Sequence, residues 1–143
     1  MYKALDVAGY IIEKHISENK IVSNLKLQKI LYFIQAEFLV TTGKPCFHEP
    51  VEAWDFGPVI PDVYRCYQVF GSANIPACKR SSNSAAIHNE DMKLIDGIIN
   101  KCAEYSATSL TEITQKQMPW KANYVRNEHS IIPNEDIKRY FEA

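Results

Sequence analysis

The chain has 143 residues and a mass of 16.4 kDa, the size of one ordinary domain, and is read as a single unit over 1–143. Hydrophobic residues make up 46% and charged residues 23%, which excludes a disordered tail or a fibrous repeat. Sixteen basic residues against seventeen acidic ones leave a net charge of -1, which argues against a dedicated nucleic-acid binder.

No apolar run is long enough for a transmembrane helix, so no membrane partner is expected. The N-terminal stretch carries Asp6 and Glu13 and lacks the pattern of a signal peptide, so the expected location is cytoplasmic. Cys46, Cys66, Cys78 and Cys102 are irregularly spaced with no CxxC pair. They read as free thiols rather than a zinc or redox motif.

The predicted elements are mostly helical. Ala4, Val7, Ala8, Ile11, Ile12 and His15 or Ile16 recur at helical spacing, giving an amphipathic helix over 4–18. Ser23 is the expected N-cap of a second helix over 24–41, which Gly43 and Pro45 end. Leu27, Ile30, Leu31, Ile34 and Phe38 mark one face, while Tyr32, Phe33, Ala36, Leu39 and Val40 make the others apolar. Such a helix belongs at the centre of a core.

Residues 50–56 alternate apolar and polar, as a short strand does, and Gly57-Pro58 is expected to break it. Pro61 and Asp62 suit the start of a third helix, which stops at Gly71. Ser81 to Ser84 signal a loop, and a second strand is expected near 85–88. Asn89 is the expected cap of a fourth helix with Leu94, Ile95, Ile98, Ile99 and Cys102 as its stripe. Ser109-Leu-Thr-Glu112 has capping-box spacing for a fifth helix, closed by Pro119. Pro133 and Asn134 introduce a last helix containing Ile137, Tyr140 and Phe141. The expected fold is mainly α, α+β at most: about six helices with a small two-stranded element.

The residues alone show no convincing active site. There is no GxSxG elbow or local cysteine-protease signature, and the four histidines are scattered. A metal-assisted hydrolase would draw on His48, Glu52 and Asp55, beside Cys46 and Glu49. A nucleic-acid binder would use Lys26, Lys29, Lys79 and Arg80. No P-loop or GxGxxG pattern occurs, and no metal or cofactor is expected. Trp54, Tyr64, Tyr67 and Trp120 are either core residues or anchors for a protein partner.

Three segments carry a resemblance. The first is Asn24-Leu-Lys-Leu-Gln-Lys-Ile-Leu-Tyr32, preceded by Asp6-Val-Ala-Gly-Tyr-Ile-Ile12. The second is Val51-Glu-Ala-Trp-Asp-Phe-Gly-Pro-Val59 with Pro61-Asp-Val-Tyr64, and the third runs from Ser109 to Met118-Pro-Trp-Lys121. In order and spacing, over about residues 4–122, they resemble the Panacea, or SocA-like, antitoxin domain family, which includes phage-associated proteins.

The resemblance implies a bacterial or prophage antitoxin that neutralises a cognate protein toxin by direct contact. Its alternatives are an adaptor that delivers a partner to a protease and a phage protein that binds a host target. It implies no enzymatic activity and no cofactor. The family commonly has His where this chain reads Gln115, between Thr114 and Lys116. The candidate partner-binding set is Lys29 and Tyr32 on the second helix, Glu52, Trp54, Asp55 and Tyr64 from the second segment, and Trp120. Oligomeric state is left open.

Overall fold

In the computed structural model, residues 1–76 and 86–143 are described. Lys79, Arg80, Cys78 and the 81–84 loop reading lie outside the described residues. In chain order the described elements are α1 (Ala4–Ser17), α2 (Asn24–Thr42), β1 (Val51–Trp54), β2 (Gly57–Val59), α3 (Pro61–Tyr67), α4 (Asn89–Cys102), α5 (Ala107–Gln115), α6 (Met118–Asn123), β3 (Ser130–Ile132) and α7 (Asn134–Glu142). A single 3-10 turn, Gln68–Phe70, extends α3. The fold is mainly α with a little β.

α2 is the axis of the molecule. It packs against α1, α3, α4, α5, α7 and β2. Ser23 accepts the Lys26 N–H at its start, and Gly43 ends it in the left-handed region at φ 77°. Leu27, Ile30, Leu31 and Ile34 have no exposed surface. Truncating any of them to Ala costs about 2–5 kcal/mol by lost burial and the cavity left behind.

Four polar residues of α2, Asn24, Gln28, Lys29 and Gln35, are as buried as its apolar core. Gln35 Oε1 accepts the N–H groups of Cys46 and Phe47 at 2.8 and 3.2 Å, and its Nε2 donates to Phe47 O at 2.9 Å. This folds the chain after Gly43 back against the helix. Gln28 Oε1 accepts the Ile60 N–H at 2.9 Å. Its neighbour Asn24 donates to Tyr64 O at 3.1 Å, so one helical face anchors the start of α3. Glu49 reaches α1 from 45 residues away and accepts the Ala4 N–H at 3.0 Å, where Lys3 offers no side-chain cap.

The sheet has order β2-β1-β3 and is antiparallel throughout. Glu52 faces Val59 and Trp54 faces Gly57, so Asp55 and Phe56 form a two-residue hairpin turn. Several boundaries therefore differ from the sequence patterns. Gly57-Pro58 does not break the extended segment but begins β2, because the positive φ of Gly57, 104°, turns the chain back rather than out. The partner strands of β1 are β2 and β3, and residues 86–88 form no strand.

At α4 the helix already includes Asn89, with His88 at the cap position and no side-chain cap bond. Ser106, not Ser109, caps α5: its Oγ accepts the Ser109 N–H at 3.1 Å. Pro119 opens α6 rather than closing α5, where its missing N–H costs nothing. No helix among the described residues is long and apolar enough to cross a membrane.

Candidate functional site

The β1–β2 hairpin is held from beneath by one lysine. Lys29, on α2, has no exposed surface, and its Nζ donates to Pro58 O at 3.1 Å. The same ammonium lies 5.5 Å from the centroid of the Phe56 ring. Burial pulls Lys29 down to about 7. Gly57 makes this approach possible. A Cβ there would sit 2.8 Å from Lys29 Cε and 3.0 Å from Thr114 Oγ1. Helix α2, the turn and α5 therefore meet at one point without room for a side chain.

Hydrogen bonds to the turn's own carbonyls hold it from the side. Gln115 Nε2 donates to Asp55 O at 2.9 Å, and Trp120 Nε1 donates to Trp54 O at 2.8 Å. Tyr124 OH donates to Asp55 Oδ1 at 2.5 Å, and this bond raises its phenol pKa. Trp54 Nε1 donates to Glu52 Oε1 at 2.9 Å.

These bonds display an aromatic face. Trp54 stacks on His129 at 4.1 Å and meets Tyr64 and Phe56 edge-on at 5.0 and 5.7 Å. Trp120 stacks on Tyr124 at 4.4 Å. Phe56, Tyr64, Trp120 and Tyr124 are half-buried, while His129 and Asp55 are exposed. The face is thus mainly aromatic, partly wet and held in place by these hydrogen bonds.

The structure brings Glu52, Trp54, Asp55, Tyr64 and Trp120 together around the hairpin. Lys29 and Tyr32 stand apart from the surface, each with no exposed area, and Trp54 is itself buried, with 9% of its surface exposed beneath the half-buried rings. Lys29 is paired within the core rather than solvent-facing, because the hairpin covers it. Tyr32 donates to Gln117 Oε1 at 2.8 Å, and burial raises its pKa. Tyr67 is also buried.

His48, Glu52 and Asp55 do not converge. Among the described residues, no group of three or more His, Cys, Asp or Glu side chains is placed to hold a metal. Cys46 and Cys102 are buried free thiols, pushed by burial up to about 12 and about 11.

Sequence patterns did not single out Phe56, Tyr124, His129 or Thr114. Tyr124 and His129 sit among polar residues before a three-residue strand, where no periodicity forms. The buried amides did leave a trace. Asn24, Gln28 and Gln35 lie four and seven residues apart, a polar line on an otherwise apolar helix.

The profile described as "Antitoxin SocA-like, Panacea domain" matches residues 27–121. That span includes Lys29, the hairpin, Thr114, Gln115 and Trp120. It stops short of Tyr124 and His129. Antitoxin SocA of Caulobacter vibrioides (strain NA1000 / CB15N) is 46% identical over 65 residues, covering 46% of this chain and 35% of that protein. The chain thus aligns with about a third of that relative's length. No solved structure matches. The chain belongs to the SocA-like antitoxin, Panacea domain family.

Proposed function

We propose that this protein is an antitoxin that neutralises a cognate toxin by direct protein contact through the aromatic face of the β1–β2 hairpin. The observation that carries this reading is the pre-ordered cluster of Trp54, Phe56, Tyr64, Trp120, Tyr124 and His129. Trp and Tyr supply large contact area at small entropic cost, and they dominate interface hot spots. The face is locked by hydrogen bonds to main-chain carbonyls, so little ordering cost remains to be met on binding. Asp55, exposed at the turn, adds a negative charge that a basic partner surface complements. The role is binding rather than catalysis.

Co-expression with the protein encoded beside it tests this. The expected result is restored growth together with a stable complex on purification. Restored growth with loss of the neighbour and no complex replaces neutralisation by contact with delivery to a protease. No rescue and no complex removes the antitoxin reading and leaves binding of a host protein as the next target of the search.

A further inference from the structure

The two faces of the small sheet are unequal. Val51, Ala53 and Ile132 belong to the main buried core, whereas Trp54 and Val59 are buried outside it. Side chains alternate along a strand, so Glu52 and Trp54 share the outer face of β1.

The register carries that face across the sheet. Glu52 is paired with Val59 on one side and with Ile131 on the other. Directly opposed residues point the same way. Trp54 follows Glu52 by two residues and His129 precedes Ile131 by two, and their stacked rings, 4.1 Å apart, continue the pairing. Glu52, Trp54, His129 and Ile131 therefore form one two-by-two patch.

The patch is covered on one side only. The rings of Phe56 and Tyr64 lie against Trp54. On the β3 side Ile131 is 58% exposed, and His129 is exposed with no second ring against it among the described residues. Glu52 is half-buried between them. Its Oε1 accepts the Trp54 Nε1–H at 2.9 Å, which fixes the carboxylate. Glu52 has no ion pair among the described residues. Asp55, the other carboxylate of the hairpin, already accepts from Tyr124.

A half-desolvated carboxylate without a cation, beside an uncovered aliphatic side chain and an open ring, suits a cationic head on an apolar stem. Lysine and arginine both have that form. Arginine matches more of the patch. Its planar guanidinium stacks on a ring and bonds a carboxylate through two N–H groups, while an ammonium is a compact charge that holds its water.

We infer that the outer face of the sheet receives an arginine of a protein partner, with the guanidinium against Glu52 and the open face of His129 and the stem along Ile131. The inference rests on the proposal that the hairpin face is the partner-binding surface, and it names the side chain that surface takes. Glu52 and Trp54 lie inside the matched family segment, and His129 and Ile131 lie beyond it. The receptor is thus completed by residues of this chain that the family match does not cover.

Titration of the isotope-labelled full chain with acetyl-leucyl-arginyl-leucine amide, followed by NMR, tests the inference without the toxin. The readout is the Trp54 indole N–H, because it is bonded to Glu52. The same peptide with lysine or norleucine in place of arginine is the comparison. The expected result is a saturable shift at millimolar arginine peptide, about twofold or more weaker with lysine and absent with norleucine. Glu52→Gln keeps an acceptor for Trp54 Nε1 and removes only the charge, and it weakens binding about threefold or more. Ile131→Ala, at an exposed position, weakens it by a similar factor of about three. No saturable shift of the Trp54 resonance with the arginine peptide overturns the inference. Equal binding of the lysine or norleucine peptide does so too, as does binding that Glu52→Gln leaves unchanged. Binding of the protein encoded beside this one is measured separately, so failure here and failure of the antitoxin reading are told apart.

Discussion

Lys29 Nζ donates to the carbonyl oxygen of Pro58 at 3.1 Å, from a side chain with no exposed surface. The bond makes the hairpin an extension of the central helix. It is also an unusual place for a lysine, because no carboxylate among the described residues is bonded to it and burial disfavours its charge.

The consequence is a pH dependence of stability. Lys29 falls from its ordinary 10.5 to about 7 in the folded chain. Between those values the unfolded chain holds a proton that the folded chain lacks, so stability rises with pH across the window. Below the folded value both states are charged, and the full cost of burying the ammonium remains. The largest slope one such group contributes is about 1.4 kcal/mol per pH unit. Urea unfolding at about pH 7 and about pH 8 should show the wild type gaining on Lys29→Met by up to about 1 kcal/mol. The interval stays below the ordinary thiol value of 9.0, above which the raised thiols of Cys46 and Cys102 act in the opposite sense.

Two glycine variants separate backbone strain from crowding. Gly43 and Gly57 both have positive φ, at 77° and 104°. A Cβ at Gly43 meets nothing within 4 Å, so Gly43→Ala costs only the backbone term, about 1 kcal/mol. At Gly57 the new Cβ strikes Lys29 and Thr114, so Gly57→Ala costs about 3 kcal/mol or more. Thermal melts of the two variants side by side check the order.

Trp120→Phe keeps most of the ring but loses the donor to Trp54 O. It should destabilise by about 1–2 kcal/mol in urea unfolding. At position 115 the Gln amide donates to Asp55 O. Gln115→His retains an N–H donor and should keep more stability than Gln115→Ala, which has none. A reversed order would mean that position 115 does not act through this bond.

Gln35→Leu is a near-isosteric change at a buried position, yet it strands the N–H groups of Cys46 and Phe47. Unsatisfied buried donors dominate any gain from the added apolar surface. The expected cost is about 3 kcal/mol or more by chemical denaturation.

The helices were legible because their apolar stripes repeat over three or more turns. Leu27, Ile30, Leu31 and Ile34 announce α2, and Ile95, Ile98, Ile99 and Cys102 announce α4. The start of α5 was misread because both Ser106 and Ser109 are capping residues. Only the fold decides between them. The sheet was the least legible part. β2 and β3 have three residues each, too few for alternation, and a Gly-Pro pair in β2 imitates a break. Of the aromatic face, Trp54, Tyr64 and Trp120 could be chosen as large residues in motif segments. Tyr124 reaches the face one turn after Trp120, at the end of the short α6, while His129 lies beside β3, whose long-range pairing with β1 local sequence does not encode.

The most direct test is the affinity of the purified protein for the protein encoded beside it, the proposed toxin, measured for the wild type and for His129→Ala. His129 is exposed and stacks on Trp54, so the variant keeps the fold and loses only about 0.5–1.5 kcal/mol of stability. The account predicts a tight complex with the wild type and a loss of about 2 kcal/mol or more in the variant, together with failure of the variant to restore growth. Unchanged affinity on removal of His129, repeated with Tyr124→Ala, would contradict it and move the interface off the hairpin face.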